Sequence, residues 1–220
     1  MHNRFWEYLS SEPIKSTHLA NGGRITDKIP LLPVDPQLHV DLWYEGPTFL
    51  IADKPQEMAV HPTGDSAVGT LVNGLLQANR WLAEMETSRS PGVIHLLRPQ
   101  DRGLTLIAKS DEMAEQLRQS HQEGALRFSY RVQVPSSHTV TPCSAVSLFD
   151  SHPYGEITVY DLDSPWGDTA RIAADWLGDP NASANFICYQ ITVPTPAKSF
   201  QIGLGRRILL PDIDLYTAPT

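Results

Sequence analysis

The sequence predicts an α+β domain whose sheet pairs distant parts of the chain. Short strand patterns recur along the 220 residues, two stretches carry apolar residues at helical spacing, and the C-terminal third is rich in strand patterns. With 41% hydrophobic residues, the chain can bury a substantial core.

The N-terminal residues 1–46 are predicted to form an extension, and residues 47–220 the main domain. The extension shows no long helical period, and Asn21-Gly22-Gly23 is a turn signal. Its second half is predicted to consist of short extended pieces separated by three prolines: Pro30, Pro33 and Pro36.

The first elements are two strands and a helix. Leu38–Tyr44 alternates apolar and polar residues, and Thr48–Ala52 is a short apolar run that ends at Asp53-Lys54-Pro55. Residues Gly69–Leu82 place leucine and valine at helical spacing, which predicts a helix despite Gly74.

The middle of the chain predicts a strand, a polar loop, a strand and a second helix. Val93–His95 and Leu104–Ala108 are the strands on either side of the loop. Ser110–Glu123 begins with a residue favoured at the helix N-cap, carries acidic residues in its first turn and is followed by Gly124, which predicts a helix.

The remaining elements are strands. Phe128–Val134 alternates strictly, which is typical of a strand. Three further strands are predicted at Glu156–Tyr160, Phe186–Val193 and Ser199–Leu204.

Charge and cysteine content favour some classes of protein over others. The formal net charge is −8, so any contact with nucleic acid has to come from a local basic patch. Cys143 and Cys188 lie far apart and form no CxxC motif, which favours free thiols and a reducing compartment. No secretory signal or membrane span is expected, so the predicted location is cytoplasmic.

Common cofactor and metal motifs do not occur in the sequence. The eight histidines show no HExxH spacing, and neither GxSxG nor a P-loop is found. These absences argue against metalloprotease, serine-hydrolase and P-loop nucleotide chemistry.

Five motifs between Leu50 and Val134 succeed one another in a recognisable order. They are DKP at 53–55, AVHP at 59–62, GTLVNGL from Gly69, IHLLRPQDRGLTLIAK from Ile94 and SYRV from Ser129. Their order and spacing resemble the RluA-type pseudouridine synthases, which show DKP, AVHP, GTLVNAL, HRLDRDTSGLLLVAK and KxYLALV. Residues 197–204, AKSFQIGL, are a looser match to the GRTHQIRVHL of that family.

The resemblance implies a fold, an activity and a class of partner. The fold would be a mixed, largely antiparallel sheet flanked by helices, with an RNA-binding cleft. The activity would be isomerisation of uridine to pseudouridine in structured RNA, such as rRNA or tRNA, without metal or cofactor. A single aspartate would act on a uridine that has been flipped out of its stack.

Several positions depart from the family pattern. The family histidine corresponds to His95 and its base-packing tyrosine to Tyr130, but the catalytic aspartate corresponds to Arg98. A guanidinium stays protonated and cannot act as nucleophile or base. The family arginine that pairs with the aspartate corresponds to Gly203, and the arginine after the histidine corresponds to Leu96.

Each candidate site residue also has a structural interpretation. Asp101 is the carboxylate of the loop; it is either a displaced catalytic group or a residue that caps a turn or pairs with Arg98 or Arg102. Tyr130 either stacks on a base or packs in the core. His95, a candidate RNA-binding residue, either carries a proton or orients the loop.

The basic candidates for RNA binding are Lys54 and Arg102, together with a C-terminal cluster. Lys54 either touches phosphate or is a solvated residue of its turn. The cluster either binds phosphate or forms a solvated face; it comprises Lys198, Arg206 and Arg207.

Three functional hypotheses arise from the sequence. The first is a diverged homologue that has lost synthase catalysis and keeps an RNA-binding or partner-binding cleft. The second is an active isomerase with a site rebuilt around Asp101. The third is a protein-interaction module without an RNA role, which the acidic balance favours.

Overall fold

A computed structural model describes residues 33–62, 68–85, 92–194 and 200–203, all within the compact unit Leu32–Thr220. It confirms the α+β class: an eight-stranded, mostly antiparallel sheet accompanies three α-helices in these ranges. The strands are β1 (Asp41–Glu45), β2 (Phe49–Lys54), β3 (Arg102–Ala108), β4 (Arg127–Pro135), β5 (Ser147–Tyr154), β6 (Ile157–Ser164), β7 (Asn185–Val193) and β8 (Phe200–Gly203). The helices are α1 (Leu71–Ala78), α2 (Asp111–Gln122) and α3 (Thr169–Leu177), with a 3₁₀ turn at Arg80–Glu84.

The strand order is β1-β2-β3-β7-β4-β6-β5, and β8 pairs with β7 beside β3. The β3–β7 pair is parallel and consists of two residue pairs, Arg102 with Ile187 and Gly103 with Cys188. Gly103 has a φ of 110°, and a Cβ there would lie 2.3 Å from the Cys188 carbonyl oxygen. The fold requires glycine at this position because the backbones of β3 and β7 are in contact there.

Helix α1 is shorter than the predicted Gly69–Leu82, because the chain changes to a 3₁₀ turn after Asn79. Its start is fixed by a reciprocal cap, in which Thr70 Oγ1 accepts from Asn73 N and Asn73 Oδ1 accepts from Thr70 N. Gly74 lies against the segment before β1: a Cβ would meet Val40 Cγ2 at 2.7 Å. The absence of a side chain at Gly74 leaves room for the segment before β1 to pack against the helix.

Helix α2 begins and ends as predicted. Ser110 Oγ accepts from Met113 N at 3.2 Å, and Gly124, with a φ of 71°, comes after the last turn. Helix α3 and strand β5 were not predicted, whereas the predicted strand Val93–His95 is reduced to a single bridge between Val93 and Ile107.

Strand β4 is central and buried on both faces, although alternation commonly marks a half-exposed strand. Its apolar face, which includes Phe128 and Tyr130, packs in the core. On its other face, Arg131 forms a buried bidentate pair with Asp161, with N–O distances of 2.8 and 2.7 Å. The charge of Arg131 is therefore paired inside the protein rather than by solvent.

The two outer strands of the sheet are irregular. Strand β5 is exposed along its whole length, contains Pro153 and shifts register between Leu148 and Asp150. Strand β1 shifts register between Leu42 and Tyr44. In the described part of the chain, no helix is long and apolar enough to cross a membrane.

The predicted extension 1–46 falls mostly outside the described residues. Its last residues, Asp41–Glu45, form strand β1 and pair with β2. The division at residue 46 stays a prediction.

Candidate functional site

The loop before β3 brings Arg98 and Asp101 into direct contact. Its backbone turns so that Asp101 N donates to Arg98 O at 3.0 Å. Arg98 Nε donates to Asp101 Oδ2 at 2.7 Å, and Arg98 Nη2 donates to Asp101 Oδ1 at 3.0 Å. Asp101 is 0% exposed and Arg98 8%. Pairing with Arg98, one of the interpretations of Asp101, is the arrangement that the structure shows.

Asp101 accepts four hydrogen bonds. Besides the two from Arg98, Oδ2 accepts from Thr169 Oγ1 at 2.6 Å and Oδ1 accepts from Phe186 N at 2.9 Å. Each carboxylate oxygen therefore has two donors, which leaves little acceptor capacity on this side chain. Its proposed catalytic role stays a prediction, and it would require these bonds to open.

The remaining N–H groups of Arg98 donate to backbone carbonyl groups of one distant loop. Nη1 donates to Pro180 O and Ala182 O at 3.1 and 3.2 Å, and Nη2 donates to Ala184 O at 2.6 Å. The Arg98 Cζ lies 5.1 Å from the centre of the Phe186 ring. The site loop is thus tied to the residues that enter β7.

The start of α3 completes this network. Thr169 Oγ1 accepts from Arg98 N at 3.0 Å, and Thr169 N donates to Leu96 O at 3.1 Å. Asp168 caps the helix by accepting from Ala170 N and Arg171 N. Burial raises the pKa of Asp168, and these backbone bonds oppose the rise.

Sequence reasoning missed Thr169 because α3 itself was missed. The local signal was present: Asp168 is a good N-cap residue, Gly178 with a φ of 78° is a typical C-terminal glycine, and apolar residues lie between them. No local pattern, however, shows that Thr169 contacts a loop 68 residues earlier.

His95 anchors the loop from inside the core. Its Nε2 lies 3.2 Å from Leu104 O, and its ring centre lies 4.5 Å from that of Phe128. Burial, followed by the nearby His121, lowers the pKa of His95 to about 3. Burial, with a contribution from Arg171, lowers the pKa of His121 to about 4, and its Nε2 accepts from Gly167 N. Both histidines are therefore neutral near pH 7.

Tyr130 lies in the core with no exposed surface. Its hydroxyl donates to Trp166 O at 3.2 Å, and its ring meets Phe186 edge-on with centres 5.9 Å apart. Burial raises the pKa of Tyr130 well above its ordinary value. Stacking on a base stays a prediction, and it would require this ring to be uncovered.

Lys54 is buried, not the solvated turn residue that was one of its two interpretations. Its Nζ donates to Pro55 O, Met58 O and Pro99 O at 3.0, 2.6 and 3.2 Å. Burial lowers the pKa of Lys54 to about 8, and the negative charge of Asp101 opposes the fall. Lys54 therefore links the DKP turn to the site loop.

The remaining candidate positions lie in β3, in β8 or outside the described residues. Arg102 is partly buried at the first position of β3, and its charge opposes the rise that burial causes in the pKa of Asp53. Gly203 belongs to β8 and pairs with Gln190. Three candidates lie outside the described residues: Lys198, Arg206 and Arg207.

Within the described ranges, no three histidine, cysteine or acidic side chains come together in a way that could hold a metal ion. What the site contains is a neutral, hydrogen-bonded ion pair surrounded by core residues. Chemically, this arrangement fixes the loop and offers no exposed acid or base.

Comparison with known proteins shows which enzymes the chain is similar to. No protein-family model matches it. Curated RNA pseudouridine synthases, among them the ribosomal large subunit pseudouridine synthase D, are nevertheless similar to part of the chain, and two solved structures share its fold.

The particular relatives match over part of their length. An uncharacterized RNA pseudouridine synthase of Bacillus subtilis is 35% identical over 80 residues, which cover 36% of this chain and 26% of that protein. Another, from Aquifex aeolicus, is 29% identical over 133 residues, or 58% of this chain and 42% of that protein. The ribosomal large subunit pseudouridine synthase D of Escherichia coli is 29% identical over 120 residues, covering 54% and 36%.

Solved structures support the fold. Human RNA pseudouridylate synthase domain containing 1 superposes with a TM-score of 0.54 at 13% identity, covering 83% of this chain and 90% of that one. Human RNA pseudouridylate synthase domain containing 4 gives 0.51 at 11% identity, covering 79% and 91%.

Proposed function

We propose that this protein is an RNA pseudouridine synthase homologue that no longer isomerises uridine and acts by binding. One observation carries the proposal: Asp101, the carboxylate of the site loop, is 0% exposed and neutralised by Arg98. Arg98 itself stands where the resemblance expects the catalytic aspartate. A side chain that is already fully hydrogen bonded cannot attack a sugar carbon or accept a proton without first losing its partners.

The position of Asp101 also argues against a rebuilt active site. Catalytic groups need precise placement, and an error of ~1 Å can cost ~100-fold in rate. Asp101 lies three residues after the expected position, and its bonds to Thr169 Oγ1 and Phe186 N hold it in the core.

RNA is the proposed ligand class because the relatives include enzymes named for the ribosomal large subunit. In the described part of the chain, Lys109 and Arg127 are paired with Glu45 and Asp163. Its buried cations, Lys54, Arg98 and Arg131, all bind oxygen atoms of the protein itself. We therefore propose that RNA binding depends on the C-terminal basic cluster.

The activity is tested by release of tritium from RNA that contains 5-tritiated uridine. We expect no release above the blank from the full chain, with the synthase D of Escherichia coli as the positive control. Release by this chain that disappears in Asp101→Asn would contradict the proposal and support the active isomerase.

RNA binding is tested by the dependence of affinity on salt. We expect binding to structured RNA that weakens as salt rises and is reduced in Arg206→Ala/Arg207→Ala. Arg80→Ala, at an exposed position of the 3₁₀ turn, is the matched control and should bind like the parent chain. Absence of binding at low salt would instead support the protein-interaction module.

A further inference from the structure

We infer that Arg98 occupies a guanidinium-binding cage, so that the former site region is a binding site filled by the protein's own side chain. The cage consists of the Asp101 carboxylate, three backbone carbonyl groups and the Phe186 ring. The ligand class that it accepts is a planar, monoalkylated guanidinium ion.

The acceptors of the cage match the donors of a guanidinium group one for one. An arginine side chain has five N–H bonds in one plane. Nε and one Nη2 bond reach the two oxygens of Asp101, both Nη1 bonds reach Pro180 O and Ala182 O, and the last Nη2 bond reaches Ala184 O. The Phe186 ring adds an aromatic contact to the cation.

The two other buried cations show that this match is specific. Arg131 has a bidentate partner in Asp161, but its buried Nη1 has no hydrogen-bond partner among the described residues. Lys54 reaches three carbonyl groups and no carboxylate oxygen in its hydrogen bonds. Of the buried cations in the described part of the chain, Arg98 is therefore the one that has a partner for every N–H and a carboxylate among those partners.

The walls of the cage are held by bonds that do not involve the guanidinium. Asp101 is fixed by Thr169 Oγ1 and Phe186 N. The carbonyl-bearing loop is closed on itself, because Ala182 N donates to Asp179 O at 3.0 Å and Ala184 N donates to Ala182 O at 2.7 Å. A preorganised site of this kind should persist when the Arg98 side chain that fills it is truncated.

The test is chemical rescue of Arg98→Ala by methylguanidinium. The full-length variant should melt below the parent chain and regain stability at millimolar methylguanidinium, far below denaturing concentrations. At ten times the dissociation constant, mass action predicts a rise of roughly 3–6 °C in the thermal midpoint. Methylammonium and urea, with ionic strength held equal by salt, should give no such rise. Methylammonium lacks the planar set of donors, and urea lacks the positive charge.

Matched variants distinguish the cage from a general effect of the ion. Arg98→Ala/Asp101→Asn should lose the rescue, since the carboxylate is gone. Arg131→Ala should respond less than Arg98→Ala, because its site lacks the three carbonyl groups. An equal response of Arg131→Ala, or no response of Arg98→Ala, would overturn the inference.

A second measurement covers the case in which Arg98→Ala does not fold. In the parent chain, nitrogen-15 NMR should show separate, slowly exchanging Nη signals for Arg98, because every N–H is bonded. Arg171, which is exposed and stacks on Trp166 at 4.0 Å, is the reference and should exchange rapidly. Rapid exchange at Arg98 would overturn the inference.

The cage and the proposed loss of catalysis can fail separately. Tritium release would refute the loss of catalysis and leave the rescue result unaffected. Absence of rescue and of slow Nη signals would refute the cage and leave the activity assay unaffected.

Discussion

Replacement of Asp101 by asparagine measures how much the buried ion pair contributes to folding. The substitution keeps the shape of the side chain and removes its charge. Because Arg98 donates to both oxygens, the amide nitrogen of asparagine faces an Arg98 N–H in either orientation. One side of the new amide also faces the backbone N–H of Phe186. Asp101→Asn therefore leaves a buried cation without its counter-charge and opposes at least one of its N–H donors.

The expected magnitude is large for a domain of this size. Breaking a buried ion pair by removing one partner costs about 3–5 kcal/mol. The total free energy of unfolding of a natural domain is about 5–15 kcal/mol, so Asp101→Asn should remove a large fraction of it.

Urea unfolding followed by tryptophan fluorescence is the assay. With a slope of ~2 kcal/mol per molar urea, the midpoint should fall by about 2 M. Asp150→Asn is the control, because Asp150 is half exposed and pairs with His152 at the surface, where such pairs contribute about 0–1 kcal/mol.

A double-mutant cycle with Arg98→Met separates the pair from its surroundings. If the two side chains act as one unit, the double variant should be more stable than the sum of the single changes predicts, by roughly 1–3 kcal/mol. A midpoint for Asp101→Asn within about 0.5 M of the parent chain, at unchanged slope, would refute the reasoning.

Two further predictions concern pH and packing. The pKa values of His95 and His121, about 3 and about 4, lie below the ordinary 6.5, so only the unfolded chain takes up these protons as the pH falls from 6.5 towards 4. Above pH 6.5 the two histidines therefore cost the folded state nothing. Below pH 6.5 the free energy of unfolding falls by about 1.4 kcal/mol per pH unit for each histidine. Urea midpoints at pH 7, 6 and 5 should show this fall, and equal midpoints would contradict it. Gly74→Ala should destabilise the protein by about 1–2 kcal/mol despite the higher helix propensity of alanine, because its Cβ would meet Val40 Cγ2 at 2.7 Å. The same urea assay measures this loss of stability. The loss should be smaller in a Val40→Ala background, where the side chain that meets the new Cβ is shortened. A Gly74→Ala variant more stable than the parent chain would show that the contact relaxes.

Much of the fold could be predicted because its signals are local. Alternation identified β4, and the Ser110 cap and Gly124 identified both ends of α2. The end of α1 was placed too late, since the apolar spacing continues through the 3₁₀ turn to the buried Leu82. Strand β5 gave no signal because it is exposed along its whole length and lacks a buried apolar face.

The candidate site was predictable only within its own loop. Spacing allowed a contact between Arg98 and Asp101, which the sequence left as one of several alternatives. The partners that fix both residues, Thr169, Ala184 and Phe186, lie 68 to 86 residues away in the chain. Burial of Tyr130 and Lys54 likewise depends on how separate elements pack, which a single sequence does not specify.

The irregular outer strands also bear on how the protein resists aggregation. A regular exposed strand is a template on which another chain can add, and this is a common route to aggregation. In β5, Pro153 has no N–H to donate, and the shift in register beyond Leu148 interrupts the row of backbone groups. The shift in β1 does the same at the opposite side of the sheet. Replacement of Pro153 by a β-branched residue would therefore favour edge-to-edge association of the chain without changing its core.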